Sequence, residues 1–181
     1  GAVLLRSSAF ASLLDPPLWS SHCHRCFFST EELQAQGKTL SRCGRCRVAY
    51  YCSRACQQSD WKQDHQTECS RLPQLVSLRL RPDQISDVLL LGRVVRQLKT
   101  PSALEVSSVD LVWNADDCCQ ETELLAALTL KLGLVGETHT AEYASIPAMQ
   151  RMLSRFQNNN FAICDARLLP VGAGCYPLVP W

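Results

Sequence analysis

The sequence predicts an α+β chain organised around a small metal-held module, and three observations carry that expectation. Seven of the eleven cysteines fall between Cys23 and Cys69, in pairs spaced for metal ligation. Residues 83–157 hold three stretches with apolar positions at helical spacing. The tail "NNNFAICDARLLPVGAGCYPLV" then changes to short extended runs punctuated by glycine. The expected order is a strand at the start, a zinc module, a helical middle and strands at the end.

The opening "GAVLLRSSAF" has no methionine and is too short and wrongly flanked for a signal peptide. It reads as a chain entered mid-domain. Hydrophobic residues make up 46% of the 181, enough to bury a core, and the formal net charge is +1. That balance argues against a protein built to coat nucleic acid or an anionic membrane. Apolar runs such as Val88–Leu91 are far shorter than the roughly 20 residues a membrane span needs.

The cysteine cluster comes as Cys23-x2-Cys26, Cys43-x2-Cys46, Cys52-x3-Cys56 and His65-x3-Cys69. An odd set of thiols completed by a histidine is a metal signature rather than a disulfide framework. The expected setting is therefore reducing and intracellular, in the nucleus, the cytoplasm or both. Eight ligands satisfy two tetrahedral Zn2+ with no position left for water, so both sites read as structural. Spacing alone leaves two pairings open, consecutive or interleaved. Ser53 reads as an N-cap, with Asp60 restarting a second short helix that carries His65 and Cys69. His22 and His24 read as exposed non-ligands, and His139 as a loop histidine. Residues 22–71 hold eight Lys/Arg against five Asp/Glu, and two zinc ions with seven thiolates cancel that excess. Arg42, Arg45 and Arg47 read as a solvated face, so a protein partner is expected rather than nucleic acid.

These residues, with "YYC" before the third pair, "CQ" after it and Trp61 four positions before His65, resemble the MYND zinc finger. The resemblance implies the interleaved cross-brace, with Cys23, Cys26, Cys52 and Cys56 on one ion and Cys43, Cys46, His65 and Cys69 on the other. It also implies binding of proline-rich peptides at Gln57 and Trp61, beside a Val48–Tyr51 strand. An indole face suits a proline ring, and an amide can pin a peptide backbone.

The flanks "GAVLLRSSAFA", "VLLLGRVVRQL" and "NNNFAICDARLLPVGAGCYPLV" resemble SET- and MYND-domain (SMYD-type) protein-lysine methyltransferases. This implies SET strands (residues 1–21), the finger (22–70), a helical insert (71–158) and the start of a C-terminal SET core (159–181). It further implies S-adenosyl-L-methionine as methyl donor, a lysine-containing protein as substrate, and Asn114 and Asn159 as cofactor contacts. The segment that wraps the donor and the catalytic tyrosine are not among these residues. The chain is therefore expected to be catalytically silent by itself, and no catalytic residue is assigned. The alternative is a non-enzymatic MYND adaptor.

Outside the finger, residues 83–99 place Ile85, Val88, Leu89, Val95 and Leu98 on one helix face. Residues 120–132 place Leu124, Leu125, Leu128 and Leu132 inward, with Gly133 as the stop. A third helix runs from Pro147 to Gln157 through Met149, Leu153 and Phe156. "FAICD" reads as a buried strand and "PVGAGCYP" as a glycine-punctuated turn into another extended piece. Cys118, Cys119, Cys164 and Cys175 read as small buried apolar residues.

Overall fold

The computed structural model describes residues 9–98, 118–136 and 145–175, and within them helix and strand are mixed. The N-terminal strand β1 (Ala11–Leu14) lies beside β5 (Pro170–Cys175), which pairs in turn with β4 (Asn160–Cys164). Both pairings are antiparallel, giving the order β1-β5-β4. The first and last described segments thus meet in one sheet. β5 can approach β1 closely because position 172 is glycine. A Cβ there would stand 2.2 Å from the Leu13 carbonyl oxygen, so no side chain fits. "PVGAGC" is accordingly strand throughout, so the extended piece expected after a turn begins at once, at Pro170. The reversal comes earlier, where the Asp165 carboxylate accepts from the amides of Arg167 and Leu169 at 2.8 and 2.9 Å.

After β1, a 3-10 turn (Pro16–Leu18) is fixed by the Trp19 indole N–H donating to the Leu14 carbonyl at 3.0 Å. The finger follows. Helix α1 (Thr30–Gln34) starts with a capping box in which Ser29 and Glu32 exchange side chain and backbone. A two-strand ribbon, β2 (Ser41–Arg42) and β3 (Tyr50–Tyr51), precedes α2 (Arg54–Asp60). Ser53 caps α2 by accepting from the Cys56 amide at 3.1 Å. No break follows at Asp60. The helix continues through a widened π turn (Trp61–His65) into α3 (Gln66–Glu68). Asp60 is buried inside this run and accepts from the Tyr51 hydroxyl at 2.6 Å, so it ties the ribbon down instead of starting a helix.

Four helices complete the described chain: α4 (Leu72–Ser77), α5 (Pro82–Gln97), α6 (Gln120–Lys131) and α7 (Ile146–Asn159). α5 is the hub, packing against β1, α6 and α7. Its middle, from Val88 to Val95, is buried on every side, beyond the single stripe the sequence suggested. On α6 the inward face is Thr122, Leu125, Ala126 and Thr129, while Leu124 is 63% exposed. The Thr129 hydroxyl folds back onto the Leu125 carbonyl at 2.8 Å, which lets a threonine take an inward position. Gly133 closes α6 at φ 64°. α7 buries Met149, Met152, Leu153 and Phe156 under a Ser145 cap.

β4 is not the buried strand expected. It is the sheet edge, and Phe161 is 61% exposed. The outlying cysteines also depart from expectation. Cys118, Cys119 and Cys164 are exposed and Cys175 is half-buried. No described helix is long and apolar enough to cross a membrane.

Candidate metal centres

The two C-x2-C pairs form matching turns. Phe27 donates its amide to the Cys23 carbonyl at 2.9 Å, and Arg47 donates to the Cys43 carbonyl at 3.0 Å. The residue after each second cysteine turns left-handed, Phe27 at φ 63° and Arg47 at φ 55°. Side chains other than glycine adopt that conformation only when their surroundings hold it. Here it aims both sulfurs of each pair to one side.

The fold brings the eight ligands into two sets, interleaved along the chain: Cys23, Cys26, Cys52 and Cys56, and Cys43, Cys46, His65 and Cys69. Within each set the donor atoms lie within 4.8 Å of one another. In the first set, Cys26 and Cys52 sulfurs are 3.6 Å apart and Cys52 and Cys56 sulfurs 3.5 Å. In the second, Cys43 and Cys69 sulfurs are 3.9 Å apart, and His65 Nε2 is 3.4 Å from Cys43 Sγ and 3.7 Å from Cys46 Sγ. A tetrahedron with Zn–S near 2.3 Å has S–S edges of about 3.8 Å, and its N–S edges are about 3.6 Å. The spacing and the thiolate-rich donors therefore fit two closed zinc sites. All eleven cysteines are free thiols, so no disulfide competes for the sulfurs.

The electrostatics call for cations. Burial pushes the Cys69 thiol up to about 12, and the neighbouring Cys46 and Cys43 sulfurs oppose its ionisation further. Cys26 is raised likewise, first by burial. Against that burial, backbone amides from Cys26, Cys52 and Arg25 hold Cys23 below the usual thiol value. For Cys43, the Cys46 amide and the His65 ring do the same. One thiol per set is thus primed, and a dication supplies the field that ionises the rest.

His22 and His24 are buried, contrary to expectation, and neither enters a ligand set. His24 is a packing residue. Its Nδ1 accepts from the Tyr50 amide at 3.0 Å, and its ring lies between Trp19 and Tyr51. Burial, with Arg93 nearby, pushes its pKa down to about 3, so the ring stays neutral. His139 and Asn114 lie outside the described residues. Asn159 ends α7, directly before β4. Gln57 and Trp61 sit one turn apart on the α2–π run, both half-buried, and the indole stands edge-on to the His65 ring at 5.9 Å.

A charge cluster that the sequence reading missed joins the second site to the body. Glu68 receives Arg93 through two bonds, Nε to Oε1 at 2.9 Å and Nη2 to Oε2 at 2.7 Å. Arg96 Nη2 bridges Asp64 and Glu68, at 2.7 Å to each. Arg93 also donates to the Ser12 carbonyl of β1, and Arg96 to the Leu134 carbonyl. Asp64 and Glu68 are one turn apart, and so are His65 and Cys69. The helix thus shows metal ligands on one face and carboxylates on the next. The only hint in the sequence is an arginine inside the apolar run "LLLGRVV".

Comparison with known proteins agrees with this geometry. The MYND finger family matches residues 20–69. The human histone-lysine N-methyltransferase SMYD3 is 32% identical over 99% of this chain and 41% of its own length. The mouse protein of that name is 31% identical over 98% and 40%. The Arabidopsis thaliana histone-lysine N-methyltransferase ASHR1 is 25% identical over 99% of this chain and 37% of its own length. The chain therefore spans about two fifths of these relatives. The similarity runs through the finger and across both of its flanks, which supports a member of the SMYD-type family.

Proposed function

We propose that this chain is the finger-bearing part of a protein-lysine methyltransferase. In that reading, SET-type strands (residues 1–21 and 159–181) are split by the MYND finger (22–70) and a helical insert (71–158). The observation that carries it is similarity across 98–99% of the chain to relatives named for lysine methyl transfer. The meeting of β1 with β5 and β4, from opposite ends of the described chain, supports it. S-adenosyl-L-methionine would supply an electrophilic methyl group, for which an enzyme's main task is alignment with a neutral amine. Asn159, at the α7–β4 junction, and Asn114 are proposed contacts to that donor. In this reading the described residues contribute two zinc sites and a buried charge clamp that set the finger against the sheet. An intracellular location, nuclear or cytoplasmic, goes with this reading.

The direct test is transfer of labelled methyl from S-adenosyl-L-methionine to lysine in histone and other protein substrates by the complete gene product. Transfer that disappears when the donor site is blocked is expected. A folded, zinc-loaded protein that transfers nothing yet captures proline-rich peptides would favour the adaptor reading.

The finger is proposed to hold proline-rich segments of protein partners at Gln57 and Trp61. Binding in the micromolar class is expected, falling at least about tenfold on Trp61→Ala, which is about 1.4 kcal/mol. The indole also packs on His65, so zinc content must be measured alongside. It should remain at two ions per chain. An affinity that does not change on this substitution would place the groove elsewhere.

A further inference from the structure

The two metal sites differ in their access to solvent and in their donors. In the first, Cys26 is exposed, Cys52 and Cys56 are half-buried, and only Cys23 is fully enclosed. In the second, Cys43, Cys46, His65 and Cys69 are all buried. The rings of Tyr51 and Trp61 stand edge-on to His65 at 5.8 and 5.9 Å, and the clamp of Asp64, Glu68, Arg93 and Arg96 closes the far face of the helix. Four thiolates around Zn2+ leave a net charge of −2, whereas three with a neutral imidazole leave −1. The accessible site is therefore also the more electron-rich.

We propose that the Cys23/Cys26/Cys52/Cys56 centre is an oxidant-responsive zinc site that gives up its ion to hydroperoxides while the Cys43/Cys46/His65/Cys69 centre stays loaded. The oxidant is a hydroperoxide, inorganic or organic. An exposed thiolate attacks the peroxide, the O–O bond breaks, and a neighbouring sulfur displaces the resulting sulfenic oxygen as water while an S–S bond forms. For the whole centre, two hydroperoxides accept four electrons from four thiolates and four protons from solvent. The products are two disulfides, two alcohols (water, if the oxidant is hydrogen peroxide), two waters and free Zn2+. The geometry is close to what this needs. Cys52 Sγ lies 3.5 Å from Cys56 Sγ and 3.6 Å from Cys26 Sγ, so one of these two pairs has to close to about 2.05 Å, and the two sulfurs left, within 4.8 Å of each other, form the second bond.

Loss of this ion unties the Cys23–Cys26 turn from the start of α2, where Ser53 caps Cys56 and Gln57 follows. The clamp and the second ion do not depend on it, so the helical body persists. The proposal is independent of the methyltransferase reading, since its readouts are zinc and thiol state.

The test uses zinc-loaded protein in which Cys118, Cys119 and Cys164 are replaced by serine, because those thiols are also exposed. Hydrogen peroxide or tert-butyl hydroperoxide is added and zinc release is followed with a metal-binding dye. One equivalent is expected to leave at least roughly tenfold faster than the other, following thiolate access. Alkylation and peptide mapping at the end of the fast phase should find Cys23, Cys26, Cys52 and Cys56 as disulfides. Cys43, Cys46 and Cys69 should still be alkylated. Cys26→His, which keeps a ligand and removes the exposed thiolate, should slow the fast phase. Release of both ions in a single phase would overturn the proposal. So would oxidation of Cys43, Cys46 or Cys69 first, or a protein that keeps both ions with all seven thiols reduced.

Discussion

Cys46→Ser is expected to remove one zinc ion and unfold the second half of the finger. Cys46 Sγ stands 3.7 Å from His65 Nε2 and accepts from the Val48 amide at 3.4 Å, so its loss opens the buried site on two sides. A serine hydroxyl is a poor zinc donor beside thiolates. Structural zinc supplies about 10–16 kcal/mol of apparent folding free energy in small finger peptides, against about 5–15 kcal/mol for the whole stability of an ordinary domain. Little apolar core inside residues 40–70 replaces it, because the buried residues there besides the ligands are Ala49, Tyr51 and the three acids Asp60, Asp64 and Glu68. Damage should also spread outward, since Asp64 and Glu68 lose their fixed place when His65 and Cys69 do. Native mass spectrometry should count one ion fewer, and amide exchange should accelerate from Cys43 to Cys69. A variant that keeps both ions would refute the ligand assignment.

Arg93→Ala is expected to cost about 3–5 kcal/mol, the range for breaking a buried ion pair by removing one partner. The side chain is buried and holds Glu68 through a two-bond fork, with the Asp64 carboxylate 3.9 Å away. Burial alone would raise the Glu68 pKa, but the charges of Arg93 and Arg96 and their hydrogen bonds outweigh it and pull it down to about 2. The folded value lies below the ordinary 4.5. The clamp's contribution is therefore complete above about that pH and fades as pH falls toward about 2. Denaturant titration at neutral pH should show the loss, and the variant should show a flatter acid dependence than the parent between those limits. A change under about 1 kcal/mol, the range of exposed pairs, would mean that water reaches the cluster. Arg93→Lys should recover part of the loss, since an ammonium keeps the charge without the planar fork.

The difference between what the sequence disclosed and what it hid follows the range of each interaction. The ligands were legible because C-x2-C and x3 spacings are set by local turn geometry. Their pairing was not, because it joins turns some 26 residues apart, as Cys26 joins Cys52; only family resemblance pointed to it. The helices were visible from periodicity, yet on α6 the rule added Leu124 to Leu125 and passed over Thr122 and Thr129, which the fold buries. Threonines that satisfy themselves on their own helix read as polar and escape an apolar count. Cys118, Cys119 and Cys164 were assigned inward on average behaviour, and their position at element ends decided otherwise. The carboxylate–guanidinium cluster was least accessible, because it couples residues 25–32 positions apart whose charges suggest a surface.

The one-position offset between 64/68 and 65/69 has a consequence for how this segment can change over time. Each α-helical residue turns the chain by about 100°, so removing a single residue upstream would swivel both faces together, presenting acids where sulfur and imidazole belong. The π turn that contains Asp64 and His65 has already absorbed one such extra residue. Drift here can replace side chains, but it cannot alter length without misaligning metal and guanidinium at once.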